Sequence, residues 1–369
     1  MRLLALFLLL LLPSPAQAQD FARITGPCDL VFPRDHGPHP GFKTEWWYYT
    51  GSMTGPDGQR FGFQFTIFRS QIQPSQVEAS WPHPRSDWRA NHILLGHAAV
   101  TDLSGKRHLQ DERVSRAAAN LAGWDTTPSS VTLFIQDWSL SIGDTHRLKA
   151  HGYAPGASFS YSLTLTPRKG PILHGQRGYS QKGLKPESAS CYSSIPRMDL
   201  TGTLTLDGRA IPVTGQAWMD QEFSSAPLEP DITGWDWFSL RLSDGYDLMV
   251  FFLRTKDGTL SPASSGTLIA PDASPRHLSA AQLSLTPTGT WTSPRSKARY
   301  PSGWKLSAPG LELTIEPELP DQEMNTALST GIHYWEGLVR AKGKRDGIAV
   351  SGEGYVELTG YDRPFSARY

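Results

Sequence analysis

The chain has 369 residues, and its 35 lysines and arginines balance 35 aspartates and glutamates, so the formal charge is zero. No basic surplus or basic block runs through it, which argues against nucleic acid or an anionic membrane surface as its partner. With 34 glycines, 29 prolines and 11% aromatic residues, it holds about 17% glycine plus proline against roughly 12% in an average chain, a composition of many strands joined by tight turns.

In chain order, the first eighteen residues stand apart. Arg2, an apolar run over residues 3–12, Pro13 and Ala16-Gln17-Ala18 have the form of a secretory signal peptide, residues 1–18. The run is short for a bilayer span and no later stretch reaches that length. The expectation is an exported chain, periplasmic or secreted, with no transmembrane segment after signal removal. In that setting Cys28 and Cys191 either pair, restraining the unfolded chain by roughly 4 to 5 kcal/mol, or remain two buried thiols. His36 and His39 lie in Asp35-His36-Gly37-Pro38-His39-Pro40. Glycine and proline there leave the rings no common face, so loop histidines bonded to carbonyls are expected rather than a metal pair.

Glu45-Trp46-Trp47-Tyr48-Tyr49 sets four rings after a carboxylate. Rings on both faces of a strand mean that one set packs a core while the other lines a cavity or an interface, with pure core packing as the alternative. Glu45, Trp46 and Tyr48 are candidate ligand contacts. Phe63, Phe65 and Ile67 alternate as on a strand, residues 109–121 carry a weak helical period, and residues 131–135 read as a short strand. In Ser160-Tyr161-Ser162-Leu163-Thr164-Leu165-Thr166 the apolar side chains share one face. Lys182 and Tyr192 fall in polar stretches, residues 178–183 and 190–194, that lack alternation and look like a structured loop. They are candidate ligand contacts, with a surface role equally open.

The densest chemistry is Trp218-Met219-Asp220-Gln221-Glu222-Phe223. On a strand Trp218, Asp220 and Glu222 point to one side, and Met219, Gln221 and Phe223 to the other. Carboxylates two residues apart on one face lie about 6 to 7 Å apart at the backbone, close enough for repulsion and burial to hold one proton at neutral pH. That pattern makes Asp220 and Glu222 candidate catalytic residues, a general acid beside a general base. The alternative is that both pair with arginines and tie the domains together. Trp218, Gln221, Trp235 and Trp237 join the candidate ligand contacts. Residues 248–253 and 356–358 read as further strands, and Asp207-Gly208, Asp244-Gly245, Asp257-Gly258 and Asp346-Gly347 supply turns.

The chain also repeats itself. Glu45-Trp46-Trp47-Tyr48-Tyr49 corresponds to Gly234-Trp235-Asp236-Trp237-Phe238, and Gly215-Gln216-Ala217-Trp218-Met219-Asp220 to Gly352-Glu353-Gly354-Tyr355-Val356-Glu357. Two related all-β antiparallel units are the simplest reading, residues 19–225 and 226–369, as closed barrels or as sandwiches.

There is no Gly-x-Ser-x-Gly elbow, His-Glu-x-x-His, phosphate loop, dinucleotide fingerprint or Cys-x-x-Cys pair, which disfavours standard serine-hydrolase, zinc-protease and nucleotide chemistry. No motif implies a cofactor. The ordered motifs Phe32-Pro33-Arg34-Asp35-His36-Gly37, Thr44-Glu45-Trp46-Trp47-Tyr48, Gly178-Tyr179-Ser180-Gln181-Lys182-Gly183, Tyr192-Ser193-Ser194-Ile195-Pro196-Arg197 and residues 215–224 resemble the exported AttH-like proteins. That lipocalin-like superfamily also contains carotenoid 1,2-hydratases, and its members are often labelled secreted hydrolases. The resemblance spans nearly the whole mature chain. It implies two tandem lipocalin-like β-barrel domains, a ligand cavity near their contact, and association with an ABC-class envelope transporter. Carotenoid hydratases carry a histidine-rich version of residues 219–223. Here Gln221 and Phe223 stand in that segment and neither can act as an acid, so the resemblance does not carry carotenoid hydration with it.

Three functions follow. The first is an exported protein that binds an apolar or amphipathic small molecule, accessory to a transporter. The second is a lyase, hydratase or hydrolase acting on a terpenoid-like or lipid-like substrate, with Asp220 or Glu222 as general acid and tryptophan faces stabilising a developing cation. The third is an interaction module of the cell envelope.

Overall fold

The computed structural model describes residues 20–84, 86–154 and 156–365; the leader read in residues 1–18 lies outside them. The regular structure of the described chain is almost entirely antiparallel strand, and no helix in it is long and apolar enough to cross a membrane. The first sheet runs in the spatial order Arg107–Arg116, His92–Asp102, Arg60–Gln71, Thr44–Thr54, Arg209–Ser224, Ala189–Leu206, Ala157–Pro167 and His146–Ala154, then through Trp138–Ile142 and Val131–Ile135 to Ala122–Thr126. Arg107–Arg116 comes back against His146–Ala154, so the sheet curls into a nearly closed barrel with little free edge.

Alternation explains what fills it. Phe63, Phe65 and Ile67 all point inward, where they meet Trp47, Tyr49 and Tyr161. Each is at most 3% exposed, and each such side chain contributes about 1.5–3 kcal/mol through burial.

The second sheet repeats the plan: Pro275–Ser279, Ser265–Ile269, Asp247–Thr255, Ile232–Leu242, Ile348–Thr359, Ile332–Arg345, Leu311–Pro317 and Trp304–Ala308. In both halves the aromatic strand lies between the strand that follows it in sequence and the last strand of its sheet, so the repeat read in the sequence is present in the topology. The two closing hairpins match as well. Asp207-Gly208 has φ of 49° and 81°, and Asp346-Gly347 has 49° and 82°, the left-handed pair whose twist suits a two-residue hairpin. Gly215 and its counterpart Gly352 sit where a Cβ would lie 1.9 Å from the Ser52 carbonyl oxygen and 2.6 Å from that of Arg241, so neighbouring backbones require glycine there.

Two expectations change. Residues 109–121 are not helical: Arg107–Arg116 pairs along its length with His92–Asp102, and barrel closure overrides a weak local period. Residues 190–194 are not a loop but the start of the 18-residue strand Ala189–Leu206, whose first eight residues are all buried. Both faces of that stretch are covered, so no alternation was there to read.

The covering element is the second half. Outward-facing side chains of the two sheets, among them Tyr48, Tyr192, Trp218, Trp237, Phe251 and Tyr355, form one apolar cluster at their contact. Ion pairs flank it: Arg60 to Glu318 at 2.8 Å, Lys169 to Asp247 at 2.7 Å and Arg197 to Asp247 at 2.8 Å. The question left open at Cys28 and Cys191 resolves as a disulfide with Cα atoms 6.1 Å apart, closing 163 residues. It fastens the N-terminal segment beside Tyr192. Replacing both cysteines with serine is expected to lower the unfolding free energy by roughly 4 to 5 kcal/mol in the loop-entropy model, read from urea unfolding; a change below about 1 kcal/mol would mean that the bridge does not restrain the unfolded chain.

Candidate active site

The pleat of Arg209–Ser224 sorts its residues. Met219 enters the first barrel, Trp218 enters the contact between the halves, and Asp220 and Glu222 follow Trp218. Asp220 is 3% exposed and is surrounded by donors. Tyr192 Oη donates to its Oδ2 at 2.5 Å, Trp218 Nε1 to its Oδ1 at 2.6 Å, and Ser194 Oγ also to Oδ1. Among the described residues no arginine pairs with Asp220 or Glu222, so the tie between halves that arginines at these carboxylates would have made is made by other pairs. Glu222 bonds Ser190 and the Lys182 ammonium, 3.2 Å away. That ammonium lies over the rings of Phe251 and Tyr192, 3.8 and 4.7 Å from their centroids.

The register builds the rest in pairs. Asp220 lies between Tyr48 and Ser194 on neighbouring strands of the first sheet. In the second sheet Glu357, the repeat counterpart of Asp220, lies between Trp237 and Glu336. The two rungs face each other: Tyr48 Oη donates to Glu336 Oε1 at 2.7 Å, and Trp237 Nε1 donates at 2.9 Å to Oη of Tyr192, which pairs with Glu222 on the neighbouring rung. Tyr48 and Trp218 both meet Trp237 edge-on, with centroids 5.1 and 6.4 Å away. With the Lys182 ammonium, Asp220, Glu222, Glu336 and Glu357 thus share an aromatic interface. Its buried centre reaches solvent at half-buried Trp46, Lys182, Trp235 and Glu357.

Charge is expensive here. Burial raises the Asp220 pKa to about 7; the bonds from Ser194, Tyr192 and Trp218 oppose the rise and the charge of Glu222 adds to it. Burial likewise raises Glu357 to about 7, against bonds from Thr359 and Trp235 and with the charges of Asp220 and Glu222. Glu336 is pushed well up by burial and by Glu357, and its Oε2 is buried without a hydrogen-bond partner among the described residues. The site therefore holds groups that both give and take protons near neutrality.

Of the candidates named from sequence, Trp46, Tyr48, Lys182, Tyr192, Trp218, Asp220, Glu222, Trp235 and Trp237 meet at this contact. Glu45 and Gln221 do not. Their side chains take the opposite face of the pleat and lie in the first barrel, where Glu45 bonds His39 at 2.7 Å, Arg69 at 3.1 Å and Gln221 at 3.2 Å. Burial acts on Glu45 too, yet His39 and Arg69 hold its carboxyl below the usual value. His39 therefore binds a carboxylate rather than a backbone carbonyl. Glu336 was not singled out in the sequence; Glu357 had a signal, its alignment with Asp220. A separate surface hollow lined by Asp87, Trp88, Ala119 and Asn120 shares no residue with the cluster.

A family model described as AttH-like matches residues 23–361. The chain belongs to the AttH-like family. A crystal structure of a Nitrosomonas europaea protein described as AttH is 34% identical, with 92% of this chain and 100% of that one covered and a TM-score of 0.81. Kievitone hydratase from Nectria haematococca is 16% identical over 93% and 98% of the two chains, with a TM-score of 0.65. CghA is 15% identical over 95% and 97%, with a TM-score of 0.53. The last two relate this AttH-like chain to others by fold alone. No curated protein sequence matches it.

The raised Asp220 pKa has a sign that can be measured. A carboxyl that holds its proton more tightly when folded stabilises the fold most below its unfolded pKa near 4, and that contribution fades as pH rises towards about 7. Asp220→Asn should therefore gain on the wild type in melting temperature between about pH 4 and pH 7 and hold a constant difference above. A difference independent of pH would contradict the burial of a titrating Asp220.

Proposed function

We propose that this AttH-like chain is an acid-base enzyme of the hydratase or lyase type, acting at the contact between its two sheets on a neutral, apolar, unsaturated molecule of terpenoid-like or lipid-like character. The observation that carries the proposal is a buried carboxyl, Asp220, poised near pH 7 against aromatic rings and three further carboxyl groups. An acid of that strength is partly protonated at neutral pH and leaves a conjugate base already held by three donors. Carboxyl groups outnumber the Lys182 ammonium here, and those that are ionised make the site hostile to anions and favourable to a cation.

In the hydration direction Asp220 gives its proton to one alkene carbon, and the π electrons form the new C–H bond. The positive charge on the adjacent carbon is met by the faces of Trp218 and Trp237 and by the field of Glu222 and Glu357. Water adds to that carbon, and its surplus proton passes to half-buried Glu357. The reverse sequence eliminates water. Glu336, with one buried oxygen that has no hydrogen-bond partner among the described residues, would hold the added hydroxyl. The fold relative kievitone hydratase, named for the addition of water, supports this class over plain ligand binding. Export through residues 1–18 and association with an ABC-class transporter belong to the same proposal and rest on the sequence pattern and the family resemblance.

The test is incubation with acyclic polyenes and terpenoid alkenes in oxygen-18 water, read by mass spectrometry. Wild type should incorporate one labelled oxygen, and Asp220→Asn should lose about 10²–10⁴-fold of turnover while its affinity changes only a few-fold. Equal turnover in the two proteins would remove Asp220 as the acid. Tight binding with no label would make the chain a binding protein.

A further inference from the structure

Asp220 has three hydrogen-bond partners, and they differ in what they can do when it gains a proton. Trp218 Nε1 bonds Oδ1 and can only donate. Tyr192 Oη bonds Oδ2 while accepting from Trp237 Nε1; turning it to accept from Asp220 would leave the Tyr192 hydrogen without a partner. Ser194 alone is backed by a group that can reverse. His174, 1% exposed, places Nε2 2.6 Å from Ser194 Oγ and Nδ1 2.9 Å from Thr267 Oγ1. Its ring is 4.3 Å from that of Tyr192. Thr267 belongs to the second sheet, so the chain Asp220–Ser194–His174–Thr267 crosses the contact between the halves. On the next strand exposed His277 lies in register with Thr267.

We propose that His174 is a positioning residue that relays the proton of Asp220, its neutral ring changing tautomer whenever Asp220 changes protonation state. With Asp220 ionised, Ser194 donates to the carboxylate, His174 Nε2–H donates to Ser194, and His174 Nδ1 accepts from Thr267. To recharge the acid, the Thr267 hydrogen moves to Nδ1, the Nε2 hydrogen to Ser194 Oγ, and the Ser194 hydrogen to Asp220 Oδ1. Thr267 takes a replacement from the solvent side beside His277. One proton enters, one arrives, and each intermediate group keeps the number of hydrogens it began with. Burial, with the nearby charges of Lys182 and His277, lowers the ring's pKa to about 3, which keeps it neutral and able to switch. The other titratable groups around this path are Tyr192 and Glu222 on the first sheet and Glu336 and Glu357 on the second. The relay rests on the reading of Asp220 as the acid, since it supplies the proton that step consumes.

Nitrogen-15 NMR of the full chain labelled at histidine tests this without any substrate. Over about pH 5.5 to 8.5, a range that brackets the shifted carboxyl, the His174 ring should stay neutral and pass from the Nδ1–H to the Nε2–H tautomer with its midpoint near 7. Asp220→Asn and Ser194→Ala should each abolish the midpoint, and the wild-type titration is decisive should either variant fail to fold. One tautomer throughout, or a ring that becomes cationic in this range, overturns the relay. A switch without label uptake from oxygen-18 water overturns the hydratase reading and supports the relay. Label uptake with a fixed tautomer overturns the relay and supports the hydratase reading.

Discussion

The site depends on one carboxyl group, Asp220, taken out of water with no ion-pair partner among the described residues. Three donors reach Asp220, and each favours the ionised form, yet the pKa moves up to about 7; the loss of hydration, the largest cause, and the charge of Glu222 prevail over the three bonds. Glu45 shows the comparison inside the same barrel. It is as deeply buried, but a histidine and an arginine lie against it and the shift takes the opposite direction. A charged partner, rather than hydrogen bonding alone, decides whether a buried carboxyl becomes a fixed anion or a proton carrier. The two sides of one pleated sheet hold one of each.

The duplicated fold makes this arrangement natural. The first sheet curls around one apolar interior and the second packs over another, so a side chain pointing outward from either sheet would ordinarily meet water. Packing the halves together turns two such faces into a second interior, and whatever polar groups those faces carry are trapped there. Tyr48, Asp220 and Ser194 come from one half; Trp237, Glu357 and Glu336 come from the matching rung of the other. Because the ion pairs that flank the contact use other carboxylates, these remain available for chemistry.

Much of this was legible in the sequence, and the reasons are specific. Strand alternation marked Phe63, Phe65 and Ile67 as inward, and the same period of two put Trp218, Asp220 and Glu222 together. The family resemblance anticipated the antiparallel β fold. What failed was alternation at places with two dry faces: residues 190–194 looked like a loop because every side chain there is covered. Glu45 and Gln221 were grouped with the site because they lie near its residues in sequence, whereas the pleat sends them the other way. Glu336 had no local signature, since it becomes a site residue only through its pairing with Glu357 and its bond to Tyr48, 288 residues away.

The central claim is that Asp220 carries a proton at neutral pH. Carbon-13 NMR of the aspartate carboxyl carbons, assigned through Asp220→Asn, follows that proton directly. A midpoint near 7 is the predicted result. A midpoint near the ordinary 3.8 would mean that Asp220 is a permanent anion, and neither acid catalysis nor the relay that feeds it would stand.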